Sequence, residues 1–465
     1  MRDPVEDAVL PAIRPSEEEQ KHIDQVVGLI LKAARNLGGA EPMVVGSVAR
    51  GTFIHGDRDL DIFLLFDPAL SREALEEEGL KLARSIAGAL ATGFHEKYAE
   101  HPYINATIDG LDVDLVPCFR VESAAAIRSA VDRTPFHTRY IEARIPPLVD
   151  DVLLMKQFAK SGGVYGSDLM TQGFSGYLCE ILILSYGGFS AMLAAAAAWR
   201  PGTLIDPEGH QAKEFSDPLI VIDPVDPCRN VAASLSLDRM FEFVELARGY
   251  RESPSRSFFS VPDSPVLSRE DLAALLTAKG TFLYTITLET PPYIPDVIVP
   301  QLRRSLESVK GLLERNGFSV NHADCAMSDA CCILLFELDT GQVPCSRRHS
   351  GPPLWNQANA QRFFEKYRSG SSPAILGGPY IENGRYIVEV ERRYTQAADL
   401  LRSPDVLTVG LGKHVRQSME KNWDLCEGSG CWSPASAPII SRFFERRSPL
   451  ARIRRKGSAG EDRLI

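Results

Sequence analysis

Two patterns of apolar residues occur in the first part of the chain, and each predicts a different kind of element. Between residues 17 and 37 they return every three or four positions, which predicts an amphipathic helix. Residues 71–92 repeat this spacing and begin with Ser71, a residue suited to cap a helix N-terminus. The run LDIFLLF is short and almost wholly apolar, which is typical of a strand buried in the middle of a sheet.

The following segments continue these patterns. HPYINATIDGLDVDLVPCF alternates with a period of two and turns at Asp109-Gly110, which predicts a hairpin. Residues 141–258 are mainly helical in pattern. Further on, 281–289 and 331–338 are predicted strands that flank a helix at 299–315, a strand–helix–strand rhythm that suggests a small α/β body.

Two acidic residues interrupt the first buried strand. Asp59 and Asp61 lie two positions apart, so both side chains project from the same face of the strand. Like charges at this distance repel and resist desolvation, and a hard divalent cation with oxygen ligands is the usual remedy. The turn Gly46-Ser47 just upstream offers backbone N–H groups and a hydroxyl to a phosphate. Together these features suggest phosphoryl chemistry on a nucleotide.

A third carboxylate on a neighbouring strand would complete a two-metal site. The second arm of the hairpin carries Asp112 and Asp114 on one face, and parity alone does not choose between them. Asp57, Asp109 and Asp112 are interpreted as solvated residues of turns and strand ends.

Composition narrows the class of protein. The 465 residues, 44% of them hydrophobic and 24% charged, are ordinary for a globular chain of several domains. The first residues lack the apolar run of a signal peptide, and nine cysteines are typical of a reducing compartment, so we expect a cytoplasmic protein. The uncharged stretch 181–199 is interpreted as a packed helix pair rather than a membrane anchor. A net charge of −10 excludes a surface that is basic throughout, but it does not exclude a local group of basic residues that contacts the phosphates of a nucleic acid.

Several long strings resemble those of the archaeal (class I) CCA-adding tRNA nucleotidyltransferases, within the DNA-polymerase-beta-like nucleotidyltransferase superfamily. They extend almost to residue 395 in one order, and they include GSVARGTFIHGDRDLDIFLLF, VDLVPCF, AVDRTPFHTRY, VYGSD, GFSGYLCE, VIDPVDPCRNVAASLS, GPPLW and GPYIENGRYIVEVERR. The first acid is Asp59, where Glu is common in the family, and either carboxylate can hold Mg²⁺.

The resemblance implies a set of site residues. It selects Asp114 as the third acid, so that Asp59, Asp61 and Asp114 would be the catalytic and Mg²⁺-binding carboxylates. The implied nucleotide-binding residues are Ser47 and Arg50 for the triphosphate, His137, Lys156 and Tyr165 as further contacts, and Arg229 for the incoming base.

Without the family, plainer interpretations of these residues stand. His137 could cap or pack, Lys156 could be a snorkelling surface lysine, and Tyr165 could be half-buried in a turn. Arg50 and Arg229 could be ordinary surface arginines.

The resemblance also implies the fold, an α+β multidomain protein. We expect a nucleotidyltransferase head with a small mixed sheet, a helical neck, an α/β body, a tRNA-binding tail and a basic C-terminal segment. The predicted bounds are 1–140 for the head, 141–258 for the neck, 259–310 with 390–440 for the body, 311–389 for the tail and 441–465 for the C-terminal segment.

The implied reaction is template-independent addition of C, C and A to the 3′ end of tRNA from CTP and ATP. The expected partners are therefore tRNA, CTP and ATP, with no membrane, and a homodimer is left open. In the tail, aromatic residues alternate with Arg362, Lys366 and Arg368, a mixture suited to stacking on bases and meeting phosphates, although a plain amphipathic helix has the same pattern. The basic C-terminal end either contacts RNA or remains disordered. The alternatives for the whole chain are another RNA nucleotidyltransferase, such as a poly(A) polymerase-like enzyme, and a non-catalytic RNA-binding protein on the same fold.

Overall fold

The computed structural model describes residues 2–57, 59–98, 102–261, 265–328, 330–368 and 374–457. The chain divides into two compact units, Met1–Asp263 with Arg447–Ile465, and Ser264–Arg446. Both units mix helices and strands, which confirms the predicted α+β multidomain class. The finer division into head, neck, body and tail stays a prediction, and residues 369–373 of the predicted tail and 458–465 of the C-terminal segment lie outside the described residues.

The elements are numbered in chain order. The helices are α1 (Pro4–Ile13), α2 (Glu17–Leu37), α3 (Gly46–Arg50), α4 (Arg72–Leu90), α5 (Thr134–Glu142), α6 (Val149–Gly162), α7 (Gly176–Tyr186), α8 (Phe189–Ala196), α9 (Leu237–Glu252), α10 (Arg269–Lys279), α11 (Pro295–Arg315), α12 (Gln357–Arg368), α13 (Ala397–Arg402), α14 (Asp405–Thr408), α15 (Lys413–Lys421), α16 (Ala437–Phe444) and α17 (Pro449–Gly457). The strands are β1 (Glu41–Val45), β2 (Asp59–Phe66), β3 (Gly93–Tyr98), β4 (Pro102–Ile108), β5 (Leu111–Phe119), β6 (Thr203–Ile205), β7 (Leu219–Asp223), β8 (Asp226–Asn230), β9 (Phe282–Glu289), β10 (Val320–Met327), β11 (Cys331–Leu338), β12 (Ser346–Pro353), β13 (Ile375–Glu382), β14 (Arg385–Glu391) and β15 (Asp424–Glu427).

A five-stranded mixed sheet in the order β1-β2-β5-β4-β3 forms the centre of the first unit. Strands β2 and β5 are parallel, and the other neighbours are antiparallel. The predicted hairpin is confirmed, because Asp109 and Gly110 both have positive φ angles and join β4 to β5 in a two-residue turn. Strand β2 is central and buried along its apolar run, as its sequence predicts.

The two predicted amphipathic helices cover this sheet and are confirmed as α2 and α4. The Ser71 hydroxyl caps α4 by accepting a hydrogen bond from the backbone N–H of Ala74. Ile23, Val26 and Ile30 of α2 are buried in the apolar core that the sheet shares with both helices. The 3.6-residue period therefore reports the packed face of each helix correctly.

The uncharged stretch folds as the helices α7 and α8, which meet at a bend of 95°. Within the described part of the chain, no single helix is long and apolar enough to cross a membrane, although this bent pair passes that test by length and composition. Ile181, Leu182 and Phe189 of the pair are buried in the largest apolar core of the first unit, together with residues of α6 and α9. The pair is thus a packed core element.

The predominantly helical prediction for 141–258 missed a small sheet. Strands β6, β7 and β8 form it, with β6 parallel and β8 antiparallel to β7. These strands have three to five residues, too few for a period to show, and Asp-Pro dipeptides flank them. The omission matters because β7 ends at Asp223 and β8 carries Arg229.

The basic C-terminal end is partly helical. Residues 449–457 form α17, whose Ile453 is buried in the same core as α9. The alternative that the basic C-terminal end remains disordered is therefore wrong for the residues of α17.

The second unit contains two antiparallel sheets. The predicted strands at 281–289 and 331–338 and the helix between them are confirmed as β9, β11 and α11. Their sheet, in the order β10-β11-β9-β15, is antiparallel throughout, so the strand–helix–strand rhythm does not reflect a parallel crossover.

The smaller sheet, in the order β12-β14-β13, packs against α12. Phe363 and Tyr367 of α12 contact the core residues Val388 and Val390 of this sheet, so these two aromatic side chains are packing residues. By contrast, the Trp355 side chain, just before α12, is 79% exposed.

Candidate functional site

The parallel pairing of β2 with β5 brings the acidic residues together. Asp61 lies opposite Asp114, and Asp59 lies opposite Asp112. Paired positions in neighbouring strands share a face, so all four carboxylates project from the same side of the sheet. The predicted triad therefore lies on one face of the sheet, with Asp112 beside it.

Burial and mutual repulsion make this face costly for negative charge. Burial, together with the neighbouring carboxylates of Asp114 and Asp59, raises the pKa of Asp61 to about 6 against the opposing charge of Arg50. The pKa of Asp59 is raised by burial and then by Asp112, and the pKa of Asp114 is raised by burial.

Asn105 is a neighbour that the sequence analysis missed. Its Nδ2 donates hydrogen bonds of 2.6 Å to Asp112 Oδ1 and of 2.6 Å to Asp114 Oδ1. Asn105 pairs with Asp114 across β4 and β5. Because the two-residue turn fixes the hairpin register, counting back from Asp109-Gly110 would have found this pairing.

The Gly-Ser turn ends β1 and begins α3. Gly46 has a φ of +73°, and a Cβ atom placed there would lie 2.1 Å from Asp61 Oδ2. Glycine is thus needed both for the backbone conformation and for the close approach of the carboxylate. Ser47 follows as the half-buried second residue of α3, and its carbonyl accepts a hydrogen bond from the Thr52 N–H.

Arg50 and Lys156 share a buried carboxylate, Glu180. Arg50 Nε lies 2.9 Å from Glu180 Oε2, and Lys156 Nζ lies 3.5 Å from Glu180 Oε1. Thr52 donates a 2.5 Å hydrogen bond to Glu180 Oε1, and its carbonyl accepts one of 2.7 Å from Lys156 Nζ. The Lys156 side chain is only 2% exposed. The interpretations of Lys156 as a snorkelling surface residue and of Arg50 as a surface arginine are therefore wrong.

Tyr165 lies near the same network. A Cβ atom at Gly176, the first residue of α7, would lie 3.1 Å from the Tyr165 hydroxyl and 3.6 Å from Lys156 Nζ. Burial raises the pKa of the Tyr165 hydroxyl, so the phenol is neutral at physiological pH.

A cavity of about 910 Å³ is lined by one of the three acids and by three of the predicted nucleotide-binding residues. Asp61, Arg50, His137 and Arg229 all line it. The other predicted site residues are not part of its lining: Asp59, Asp114, Ser47, Lys156 and Tyr165. The volume is in the range of pockets that hold a nucleotide-sized ligand.

His137 and Arg229 meet on a second buried carboxylate, Asp223. Asp223 Oδ2 accepts hydrogen bonds of 2.8 Å from His137 Nε2 and of 2.7 Å from Arg229 Nη1. The Tyr177 ring stacks on the His137 ring at 4.2 Å between centroids. Tyr177, Glu180 and Asp223 are additional candidates that carried no signal by residue type or spacing, since each is a lone polar residue in an apolar or turn context.

The protonation states of His137 and Asp223 follow from their burial and from the groups that they contact. Burial lowers the pKa of His137 against the raising effect of Asp223, so the imidazole is neutral at pH 7. Burial alone would raise the pKa of Asp223, but the hydrogen bond from His137, the charge of that ring once acid protonates it, the backbone N–H of Val225 and the charge of Arg229 lower it to about 2. Asp223 is thus ionised throughout the physiological range.

The acid face has the chemistry of a divalent-cation site. Carboxylate oxygens are hard ligands, and the raised pKa values show that burial and mutual repulsion outweigh the nearby positive charges and hydrogen bonds. In the part of the chain that the structure describes, no three His, Cys, Asp or Glu side chains are grouped tightly enough to hold a metal ion as they stand. Convergence of Asp59, Asp61 and Asp114 on one ion stays a prediction.

Three family models match successive parts of the chain. They are described as a nucleotidyltransferase domain, residues 28–137, as the second domain of tRNA nucleotidyltransferase, residues 150–260, and as the C-terminal domain of the CCA-adding enzyme, residues 279–428. The first model covers the acid-bearing sheet, and the second covers the region of Lys156, Glu180 and Asp223.

Curated relatives match over nearly the whole length. The CCA-adding enzyme of Methanoregula boonei is 58% identical over 455 residues, which cover 98% of each chain. The CCA-adding enzyme of Methanosarcina barkeri is 42% identical and covers 91% of this chain and 93% of the relative. That of Haloarcula marismortui is 39% identical and covers 91% and 94%. With its sheet, cavity and full-length similarity, this chain belongs to the archaeal CCA-adding enzymes of the nucleotidyltransferase superfamily.

Proposed function

We propose that this protein adds C, C and A in turn to the 3′ end of tRNA from CTP and ATP. In each step the 3′-oxygen of the RNA bonds to the α-phosphorus of the nucleotide, the bond to the bridging oxygen breaks, and pyrophosphate leaves as the hydroxyl proton is lost. The observation that carries this proposal is the single cavity in which Asp61, Arg50, His137 and Arg229 meet.

The nucleotide would occupy the cavity with its triphosphate toward Arg50. Ser47, at the start of the same short helix, would add a hydroxyl. Lys156 and Tyr165 do not line the cavity, and Lys156 would reach a phosphate only by exchanging its contact with Glu180 for the ligand. Contacts of this kind contribute by positioning and by charge stabilisation.

Asp59, Asp61 and Asp114 would hold Mg²⁺, with the like-charge repulsion of the free protein as the reason for cation affinity. When bound, the metal would lower the pKa of the RNA 3′-hydroxyl and offset the charge that develops on the departing pyrophosphate. Asn105 would orient Asp114 through its 2.6 Å hydrogen bond.

Base choice requires polar groups that C and A satisfy and that G and U leave unpaired. A site of this kind discriminates strongly, because a wrong base buries an unsatisfied group. Arg229 is the residue assigned to this role, since it lines the cavity and its side chain is 36% exposed.

Incubation with tRNA that lacks its CCA end and with each nucleotide separately tests the proposal. With CTP alone we expect two residues to be added and the reaction to stop, and ATP should then add one more. Continued addition of A from ATP alone would instead favour a poly(A) polymerase-like enzyme. Absence of Mg²⁺-dependent pyrophosphate release, with tRNA binding retained, would favour a non-catalytic RNA-binding protein.

A further inference from the structure

Asp223 is a buried carboxylate at the end of β7, hydrogen-bonded to two residues that line the cavity. Its side chain is fully buried, and it accepts four hydrogen bonds from separate parts of the first unit. Asp223 Oδ2 accepts from His137 Nε2 at 2.8 Å and from Arg229 Nη1 at 2.7 Å. Asp223 Oδ1 accepts from the Tyr177 hydroxyl at 3.2 Å and from the Val225 N–H at 3.0 Å.

Each oxygen of this carboxylate therefore serves two donors. An amide in the same place has only one acceptor oxygen, and its nitrogen would face two donors. Whichever way an asparagine side chain were turned, either the pair His137 and Arg229 or the pair Tyr177 and Val225 would lose its acceptor. The site thus requires a carboxylate, not merely a polar side chain of this shape.

The hydrogen bond to Asp223 also determines which nitrogen of His137 carries the proton. An ionised carboxylate only accepts, so Nε2 must be the protonated nitrogen of the neutral ring. Nδ1 is then an acceptor, and among the described residues it has no hydrogen-bond partner. His137 lines the cavity, so a ligand bound there would lie beside its ring.

We propose that Asp223 is a positioning residue that holds His137 and Arg229 in one fixed arrangement for the incoming nucleotide. His137 presents Nδ1 to a hydroxyl or amino group of the nucleotide rather than to a phosphate oxygen, while Arg229 presents its guanidinium beside it. The Tyr177 ring, stacked on His137 and hydrogen-bonded to the same carboxylate, keeps the imidazole plane in place. This inference rests on the proposed function, because it takes the ligand to be a nucleotide.

The first test compares Asp223→Asn with Glu6→Gln in the full-length protein. Glu6 is 1% exposed and lies in the same unit, where it accepts a hydrogen bond from the Ser190 hydroxyl, so it is a buried carboxylate that does not line the cavity. We expect Asp223→Asn to lower kcat/KM for CTP about 10- to 100-fold, mainly through KM, because a hydrogen bond to a charged group is lost. Glu6→Gln should keep the wild-type value. A wild-type kcat/KM for folded Asp223→Asn would overturn the proposal.

Parallel assays with 2′-deoxyCTP identify the donor on the nucleotide. A preference for CTP over 2′-deoxyCTP that collapses in Asp223→Asn supports a contact between His137 and the ribose hydroxyl. An unchanged preference with weaker binding of both nucleotides supports a contact with the base amino group.

The second test needs no substitution at Asp223. In ¹⁵N-histidine-labelled wild-type protein, with the signals of His137 assigned by their loss in His137→Gln, we expect a protonated Nε2 and an unprotonated Nδ1 at pH 7.5. The opposite tautomer would overturn the proposal even if Asp223→Asn did not fold. This readout is independent of turnover, so a wild-type protein that failed to add CCA would refute the proposed function without touching the tautomer.

Discussion

The backbone of Gly46 approaches the carboxylate of Asp61 so closely that a Cβ atom at position 46 would lie 2.1 Å from Asp61 Oδ2. The conformation of the Gly-Ser turn and the position of the Asp61 side chain on β2 therefore depend on each other. A side chain at position 46 can be accommodated only if Asp61 moves.

We expect Gly46→Ala to lower activity at least about a hundredfold, because displacement of a reacting group by about 1 Å has an effect of this size. Gly51→Ala is the matched control, since Gly51 also has a positive φ, +65°, but a Cβ atom there would meet nothing within 4 Å. Both variants should lose about 1 kcal/mol of unfolding free energy to backbone strain. Equal activity of the two in the CCA-addition assay would show that the contact with Asp61 is unimportant.

Asp61→Asn should abolish nucleotide addition while stabilising the metal-free protein. Because the pKa of Asp61 is raised from 3.8 to about 6 in the folded state, its ionisation destabilises the fold as pH rises through this window. In urea titrations at pH 7.5 with a chelator, we expect the unfolding free energy of the variant to exceed that of the wild type by about 3 kcal/mol, and the difference should shrink toward pH 4. A difference that is independent of pH would contradict this assignment.

Asp114→Asn and Asp112→Asn form a matched pair on β5. Both carboxylates accept a hydrogen bond from Asn105, but only Asp114 lies opposite Asp61. We expect Asp114→Asn to lose several orders of magnitude in kcat, because a predicted metal ligand is removed. Asp112→Asn should retain kcat within about tenfold and relieve the raised pKa of Asp59. The reverse order of activities would make Asp112 the third acid.

Lys156→Met should lower both stability and nucleotide affinity. Removal of one partner of a buried ion pair typically costs about 3–5 kcal/mol, and the remaining contacts of Glu180 with Arg50 and Thr52 should place the loss near the lower value. Lys160→Met, on the same helix, removes a 30% exposed lysine that pairs with Asp57 and should cost less than about 1 kcal/mol. Thermal melts and KM for CTP check both effects. A Lys156→Met protein with an unchanged KM would limit Lys156 to a structural role.

Charge reversal on α12 should weaken tRNA binding without altering the folded unit. Arg362 and Arg368 are exposed on α12, whose aromatic residues Phe363 and Tyr367 face the sheet. For Arg362→Glu with Arg368→Glu we expect a slope of log Kd against log salt that is smaller by roughly one per lost phosphate contact. Arg269→Glu, an equally exposed change on α10, should leave the slope nearer the wild-type value. Identical slopes for all three proteins would exclude α12 from the RNA contact.

Local patterns were enough to predict several elements and to place Asp59 and Asp61 on one face of their strand. Periods of two and 3.6 residues predicted the hairpin, α2 and α4 correctly, and a continuous apolar run predicted β2, because each pattern depends on neighbours within a few positions of the same segment. Several long sequence strings then resembled one family over most of the chain. The alternation of side chains along a strand left Asp112 and Asp114 as equal candidates for the third acid.

Which residues lie opposite each other depends on contacts between segments that are far apart in the chain. The register of β2 against β5 places Asp114 rather than Asp112 opposite Asp61, and this register depends on packing between strands that are distant along the chain. Lys156 and Arg50 are buried because Glu180 arrives from α7, and His137 is oriented because Asp223 arrives from β7. A buried charge is tolerated only where a partner meets it, and no local pattern reveals a partner contributed by another element.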